Sequence, residues 1–135
     1  MKPIFADTVY YLALTNPNDQ YAQAAREFTK GFAGSFITTS CVLTEVANSL
    51  SRGTDRALFR ELYEELSHDR RVTIVPTTRD LLESGVELFA RRHDKEWSLT
   101  DCISFIVMQQ NGLIEALTAD KHFEQAGFLI LLDND

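Results

Sequence analysis

Four acidic residues stand where an apolar run breaks off or a helix begins. Asp7 follows Pro3-Ile4-Phe5-Ala6, and Glu45 lies about one turn into the stretch after Phe36-Ile37-Thr38-Thr39. Asp101 heads Cys102-Ile103-Ser104-Phe105-Ile106-Val107-Met108, and Asp120 closes Leu113-Ile114-Glu115-Ala116-Leu117-Thr118-Ala119. Any one alone reads as a cap or turn residue, and Glu45 as a surface glutamate. As a group they have a chemistry. Two carboxylates about 4 Å apart repel by roughly 4 kcal/mol at an effective dielectric of about 20. Four together would cost a large part of a small domain's stability, so such a cluster needs cations or protons. Divalent Mg2+ or Mn2+ is the natural counterpart, because all-oxygen ligand sets select these ions and Mg2+ keeps waters that serve as nucleophiles. Metal-assisted phosphodiester hydrolysis uses this arrangement.

Whether the acids converge depends on the elements between them. Pro3-Ile4-Phe5-Ala6 predicts a buried strand, and Val9–Leu14 a short helix stopped by Asn16-Pro17-Asn18. Asn18 or Asp19 then caps a helix to about Phe32. Phe36–Thr39 is a second strand, Ser40 an N-cap, and Cys41–Leu50 a helix with Val42, Leu43, Val46, Ala47 and Leu50 inward and Glu45 beside that stripe. A helix from Asp55 to His68 turns in Leu58, Phe59, Leu62, Tyr63 and Leu66. Val72–Val75 is a third strand, stopped by Pro76. Thr77 or Thr78 caps the next helix, with Leu81, Leu82, Val86, Leu88 and Phe89 inward and a basic end at Arg91-Arg92-His93. Ser98 and Asp101 have capping-box spacing before a helix that is apolar on nearly all sides and ends at Asn111-Gly112. Leu113–Thr118 and Phe128–Leu132 are strands four and five, with a helical turn over His122–Gln125 between them. Short apolar strands alternating with helices describe an α/β fold whose mainly parallel sheet is covered on both faces, with ligands beyond the carboxyl ends of the strands.

With 135 residues, 44% hydrophobic, the chain is expected to form one domain over residues 1–135. No apolar run approaches the roughly 18 residues of a membrane span, and the N-terminus lacks a signal-like segment, so a soluble, intracellular protein is expected. Cys41 and Cys102 show no C-x-x-C spacing and read as reduced core thiols. His68, His93 and His122 are too scattered for a ligand set by spacing and read as surface or capping residues; His122, two residues after Asp120, is the one near the acids. Asp19, Asp55, Asp80 and Asp94 read as ordinary caps or loop residues. A net charge of −7 argues against nonspecific nucleic-acid binding. Setting the four acids aside leaves 16 acidic against 13 basic residues, a balance of −3 that bound metal would offset locally.

Phe5-Ala6-Asp7-Thr8, Thr44-Glu45-Val46, Ser98-Leu99-Thr100-Asp101-Cys102 and Leu117-Thr118-Ala119-Asp120-Lys121-His122-Phe123, in that order, resemble a PIN-domain ribonuclease, and more narrowly the VapC-type toxins of bacterial toxin–antitoxin pairs. The resemblance covers nearly the whole chain, and the family's four acids fall on Asp7, Glu45, Asp101 and Asp120. It implies a three-layer α/β/α sandwich around a five-stranded sheet, Mg2+- or Mn2+-dependent cleavage of structured RNA in the cytoplasm, a homodimer, and an inhibiting antitoxin. Asp7 and Asp101 would be the firmest metal ligands, with Glu45 and Asp120 completing the cage or orienting water. Thr8, Thr100 and Thr118 could hold the carboxylates, and Arg52, Arg91, Arg92, Lys95 and Lys121 could meet phosphates at the rim. A general RNA-processing nuclease of the same family is the alternative. A receiver-like Mg2+-binding signalling domain fits less well: Ala6-Asp7-Thr8 holds one acid, not two, and strand three ends in Val75-Pro76-Thr77 without an aspartate.

Overall fold

The expected strands and helices all form in the computed structural model, which describes residues 2–132. In chain order, β1 (Ile4–Ala6) leads into α1 (Thr8–Thr15) and α2 (Ala22–Gly31), and β2 (Phe36–Thr39) into α3 (Ser40–Ser49) and α4 (Asp55–His68). β3 (Val72–Val75) precedes α5 (Arg79–Arg91) and α6 (Leu99–Gln110), followed by β4 (Glu115–Leu117), α7 (Lys121–Gln125) and β5 (Leu129–Ile130). The strands form one sheet in the order β3-β2-β1-β4-β5, and every pair is parallel. Every residue of β1 and β2 is buried, which requires cover on both faces. Edge strand β3 is only half-buried. Among the described residues, no helix is long and apolar enough to cross a membrane.

This strand order fixes where a ligand can bind. The chain builds outward from β1 through β2 to β3, then crosses back to lay β4 on the other side of β1. That reversal opens a crevice beyond the carboxyl ends of β1 and β4, the usual ligand site of open α/β sheets. Asp7 follows β1 directly, and Thr118 to Asp120 follow β4. A receiver domain sets its third strand beside its first; here β2 lies between them, which excludes that reading.

Helix α6 is the pillar behind the crevice. Cys102, Ile103, Ser104, Phe105, Val107 and Met108 are all buried, and the Ser104 hydroxyl is satisfied by the Thr100 carbonyl at 2.9 Å. Phe105 meets Trp97 and Phe123 edge-on at 5.0 and 4.9 Å between ring centroids. Gly112, at φ +63°, ends the helix, with the Leu113 N–H returning to the Met108 carbonyl at 2.9 Å. Spending Leu113 on this cap is one reason β4 starts at Glu115 and not at Leu113.

Several expected boundaries and faces are corrected. The cap of α3 is Thr39, whose hydroxyl accepts the Val42 N–H at 3.1 Å; the Ser40 hydroxyl instead accepts the Thr77 N–H at 2.8 Å. Helix α2 starts at Ala22, because the Asp19 carboxylate closes a turn onto the Tyr21 N–H. Strand β5 keeps only Leu129–Ile130. Helix α5 carries two apolar stripes at helical spacing, Leu81-Gly85-Leu88 and Leu82-Val86-Phe89, and only the first is buried. Gly85 decides it: a Cβ there would lie 2.5 Å from Ile103 Cγ1, so α5 and α6 approach more closely than any side chain allows. Leu82, Val86 and Phe89 stay 40%, 45% and 50% exposed. On α4, Leu62 is buried, Phe59 and Leu66 are half-buried, and Leu58 and Tyr63 are exposed.

Candidate active site

Asp7 sits at the N-cap position of α1 but makes no side-chain cap bond, so its carboxylate is not spent on the helix. It is buried, and its Oδ2 accepts a hydrogen bond from the Thr118 hydroxyl at 2.9 Å. The same Thr118 oxygen accepts the Asp120 N–H at 3.1 Å, which ties the end of β4 to the acid after β1. Burial pushes the Asp7 pKa up to about 7, against the hydrogen bonds from the Thr8 backbone and Thr118; the charges of Asp101 and Asp120 add to the rise.

Asp101 is the third residue of α6 and completes a capping box. The Ser98 hydroxyl accepts its N–H at 3.0 Å, and its own Oδ2 accepts the Ser98 N–H at 3.1 Å. His122 Nδ1 lies 2.9 Å from that same Oδ2. Among the described residues both contacts fall on one oxygen, leaving Oδ1 to serve a ligand. Burial raises the pKa of Asp101, opposed by the His122 and Ser98 hydrogen bonds.

Asp120 caps α7, its Oδ1 accepting the His122 N–H at 2.9 Å and standing 3.5 Å from His122 Nδ1. Single donor atoms of Asp101, Asp120 and His122 lie within 4.8 Å of one another. Two carboxylates this close, one of them hydrogen-bonded to an imidazole, beside a buried third carboxylate with raised proton affinity, fit a small divalent cation. Glu45 stands at the rim, half-buried, and its Oε1 accepts the Thr8 hydroxyl at 2.5 Å. It lines an open cavity of about 280 Å³ with Thr44, Asn48 and Thr100, the residue before Asp101.

The structure therefore gathers Asp101 and Asp120 directly, sets Asp7 within electrostatic reach of both, and links Glu45 through Thr8. Thr8 and Thr118 hold carboxylates as expected. Thr100 holds none among the described residues; its carbonyl serves Ser104 and the residue lines the cavity. Arg92 is not a free rim cation, since its guanidinium lies 4.8 Å over the Trp97 ring and pairs with Asp94 at 3.0 Å. Asp94 is thus an ion-pair partner and not a cap. His122 is the site residue that sequence reasoning undervalued. The available signal was its place two residues after Asp120, where the cap of a one-turn helix swings the ring toward Asp101. Cys41 and Cys102 are free thiols, half-buried and buried.

A family model for the PIN domain matches residues 4–129. The chain belongs to the PIN-domain family. Over 127 residues it is 33% identical to the 23S rRNA-specific endonuclease VapC20 of Mycobacterium tuberculosis, from strains CDC 1551 / Oshkosh and ATCC 25618 / H37Rv alike, covering 93% of this chain and 95% of VapC20. The crystal structure of that VapC20, described as a sarcin–ricin loop cleaving toxin, superposes with a TM-score of 0.84 at 28% identity, covering 93% of this chain and 96% of that one. FitAcB from Neisseria gonorrhoeae gives a TM-score of 0.66 at 16% identity, covering 95% and 96%. VapBC2 from Rickettsia felis, bound to a promoter DNA fragment, gives 0.64 at 13%, covering 94% and 96%. At such identities these last two establish the PIN fold alone.

Proposed function

We propose that this PIN domain is a divalent-metal-dependent endoribonuclease acting on structured RNA of the ribosomal or transfer kind, and the toxin of a toxin–antitoxin pair. The observation that carries the reading is the gathering of Asp101 and Asp120 at the β1/β4 crevice with Asp7 in electrostatic reach of both, and with Thr118, Ser98 and His122 holding the carboxylates. The VapC20 relative, similar over nearly the full length of both chains, supports RNA, and ribosomal RNA in particular, as the substrate class.

Asp7, Asp101 and Asp120 are the groups that would hold Mg2+ or Mn2+, with Asp7 and Asp101 the firmest. When bound, such an ion supplies a water of lowered pKa and charge for the phosphate oxygens. His122 keeps Asp101 turned toward the crevice by occupying its Oδ2. Glu45, fixed by Thr8 and lining the open cavity, would orient the attacking water and accept its proton. Asp7 and Asp101 are buried against α6 and the sheet, while the half-buried Asp120 is fixed by capping α7.

A cytoplasmic homodimer held silent by an antitoxin completes the reading. The exposed Leu82-Val86-Phe89 stripe of α5 supports a second copy as the dimer partner. Expression alone in a bacterial host should arrest growth, and Asp101→Asn should relieve the arrest; arrest that persists in that variant contradicts the nuclease reading.

A further inference from the structure

We propose that the trough between α3 and α4 is a track for an unpaired RNA strand leading away from the acidic crevice. This rests on the endoribonuclease reading and names where the substrate lies beyond the cut. The cavity beside Glu45 shares Ser40 and Thr44 with a second cavity of about 360 Å³ that is walled by Phe59 and Tyr63. That one in turn shares Phe59 and Tyr63 with a third, which ends at Arg56 and Arg60. The trough follows α3 from Ser40 to Ser49, about 14 Å, and ends beside Ser51.

The order of chemistry along it matches a single strand. Glu45 and Thr100, the residue before Asp101, lie at one end toward the scissile phosphate, aromatic faces follow for a base, and guanidinium groups come last for a further phosphate. Phe59 and Tyr63 lie 6.2 Å apart with their rings tilted by 29°, and Tyr63 is 46% exposed on the wall, open to stacking. Among the described residues Arg60 is held only by an exposed pair with Glu64 at 3.5 Å, a contact that yields readily to a phosphate. Of the other α4 glutamates, Glu65 lines a cavity beside Tyr10, Leu62 and Asp69 and does not oppose the strand. Arg56 and Arg60 both line the far cavity, so a strand lying there would meet two guanidinium groups once its phosphate displaces Glu64 from Arg60.

The test is fluorescence anisotropy of a labelled single-stranded oligouridylate on the non-cutting Asp101→Asn protein. Tyr63→Ala should weaken binding about fivefold or more, while Tyr63→Phe, which keeps the ring, should not. Arg56→Ala combined with Arg60→Ala should weaken binding and flatten its salt dependence by about one to two counterions. Unchanged affinity in both the Tyr63→Ala and the double-arginine proteins overturns the track. Unchanged affinity accompanied by loss of dimer mass in sedimentation also overturns it, and assigns the groove to a second copy. Wild-type protein that does not cut RNA with Mn2+ refutes the endoribonuclease reading itself. Groove variants in the catalytically intact protein that cut at unchanged KM refute the track alone.

Discussion

Replacing Asp7 by Asn removes a charge from a place where the fold resists having one. The folded carboxyl keeps its proton up to about 7, whereas the unfolded chain releases it near 3.8. Between those values the unfolded state binds fewer protons, so the stability of metal-free protein falls as pH rises, and the loss is complete above the folded pKa. A shift of about three units at about 1.4 kcal/mol each comes to about 4 kcal/mol, on the order of 10 °C in Tm for a chain of this length. Asparagine keeps an oxygen for the Thr118 hydroxyl but has no proton to lose. Urea or thermal melts in EDTA from about pH 4 to about pH 8 should therefore show the wild type losing stability that Asp7→Asn retains. The variant should be the more stable protein at the alkaline end. Mn2+ should restore the wild type there by favouring the ionised carboxylate, and the variant much less. A wild-type profile that is flat across the window, or Asp7→Asn melting below wild type at about pH 8 in EDTA, refutes the reasoning.

Asp101→Ala should lower stability by about 1 kcal/mol or more, because the Ser98 N–H loses its acceptor, whereas Asp101→Asn should melt close to wild type; denaturant titration separates the two. His122→Ala should leave the fold intact and cost about 10- to 100-fold in cleavage rate and in Mn2+ affinity measured by calorimetric titration, since Asp101 loses the group that orients it. Gly85→Ala should destabilise by about 1–3 kcal/mol, although alanine favours helix by about 1 kcal/mol, because the new methyl meets Ile103; a neutral or stabilising result would show that α5 can move away from α6.

The positions of the acids were legible because each ends or begins an element whose apolar pattern is strong. Ile4–Ala6 are buried on both faces and can only be a strand, so Asp7 had to lie at its carboxyl end. Ser98 and Asp101 carry their capping chemistry in their spacing. What eluded sequence reasoning depends on contacts between distant segments. His122 and Asp101 stand 21 residues apart in sequence, and it takes the return of the chain from α6 through β4 to make them neighbours. On α5, hydrophobicity favours Leu82, Val86 and Phe89, yet the stripe with the glycine is buried, because close helix approach rewards a missing side chain. Ser40 and Thr39 are both good caps by composition; the Thr77 backbone claims the Ser40 hydroxyl and leaves the cap to Thr39.

Cleavage of a ribosomal RNA hairpin by purified protein tests the central claim most directly. Wild type should cut at a discrete site with Mg2+ or Mn2+, fall silent in EDTA, and recover when the metal is returned, while Asp101→Asn, still folded, should cut under none of these conditions. Cleavage that persists in EDTA, or that survives Asp101→Asn, would contradict a nuclease centred on the Asp7, Asp101 and Asp120 carboxylates.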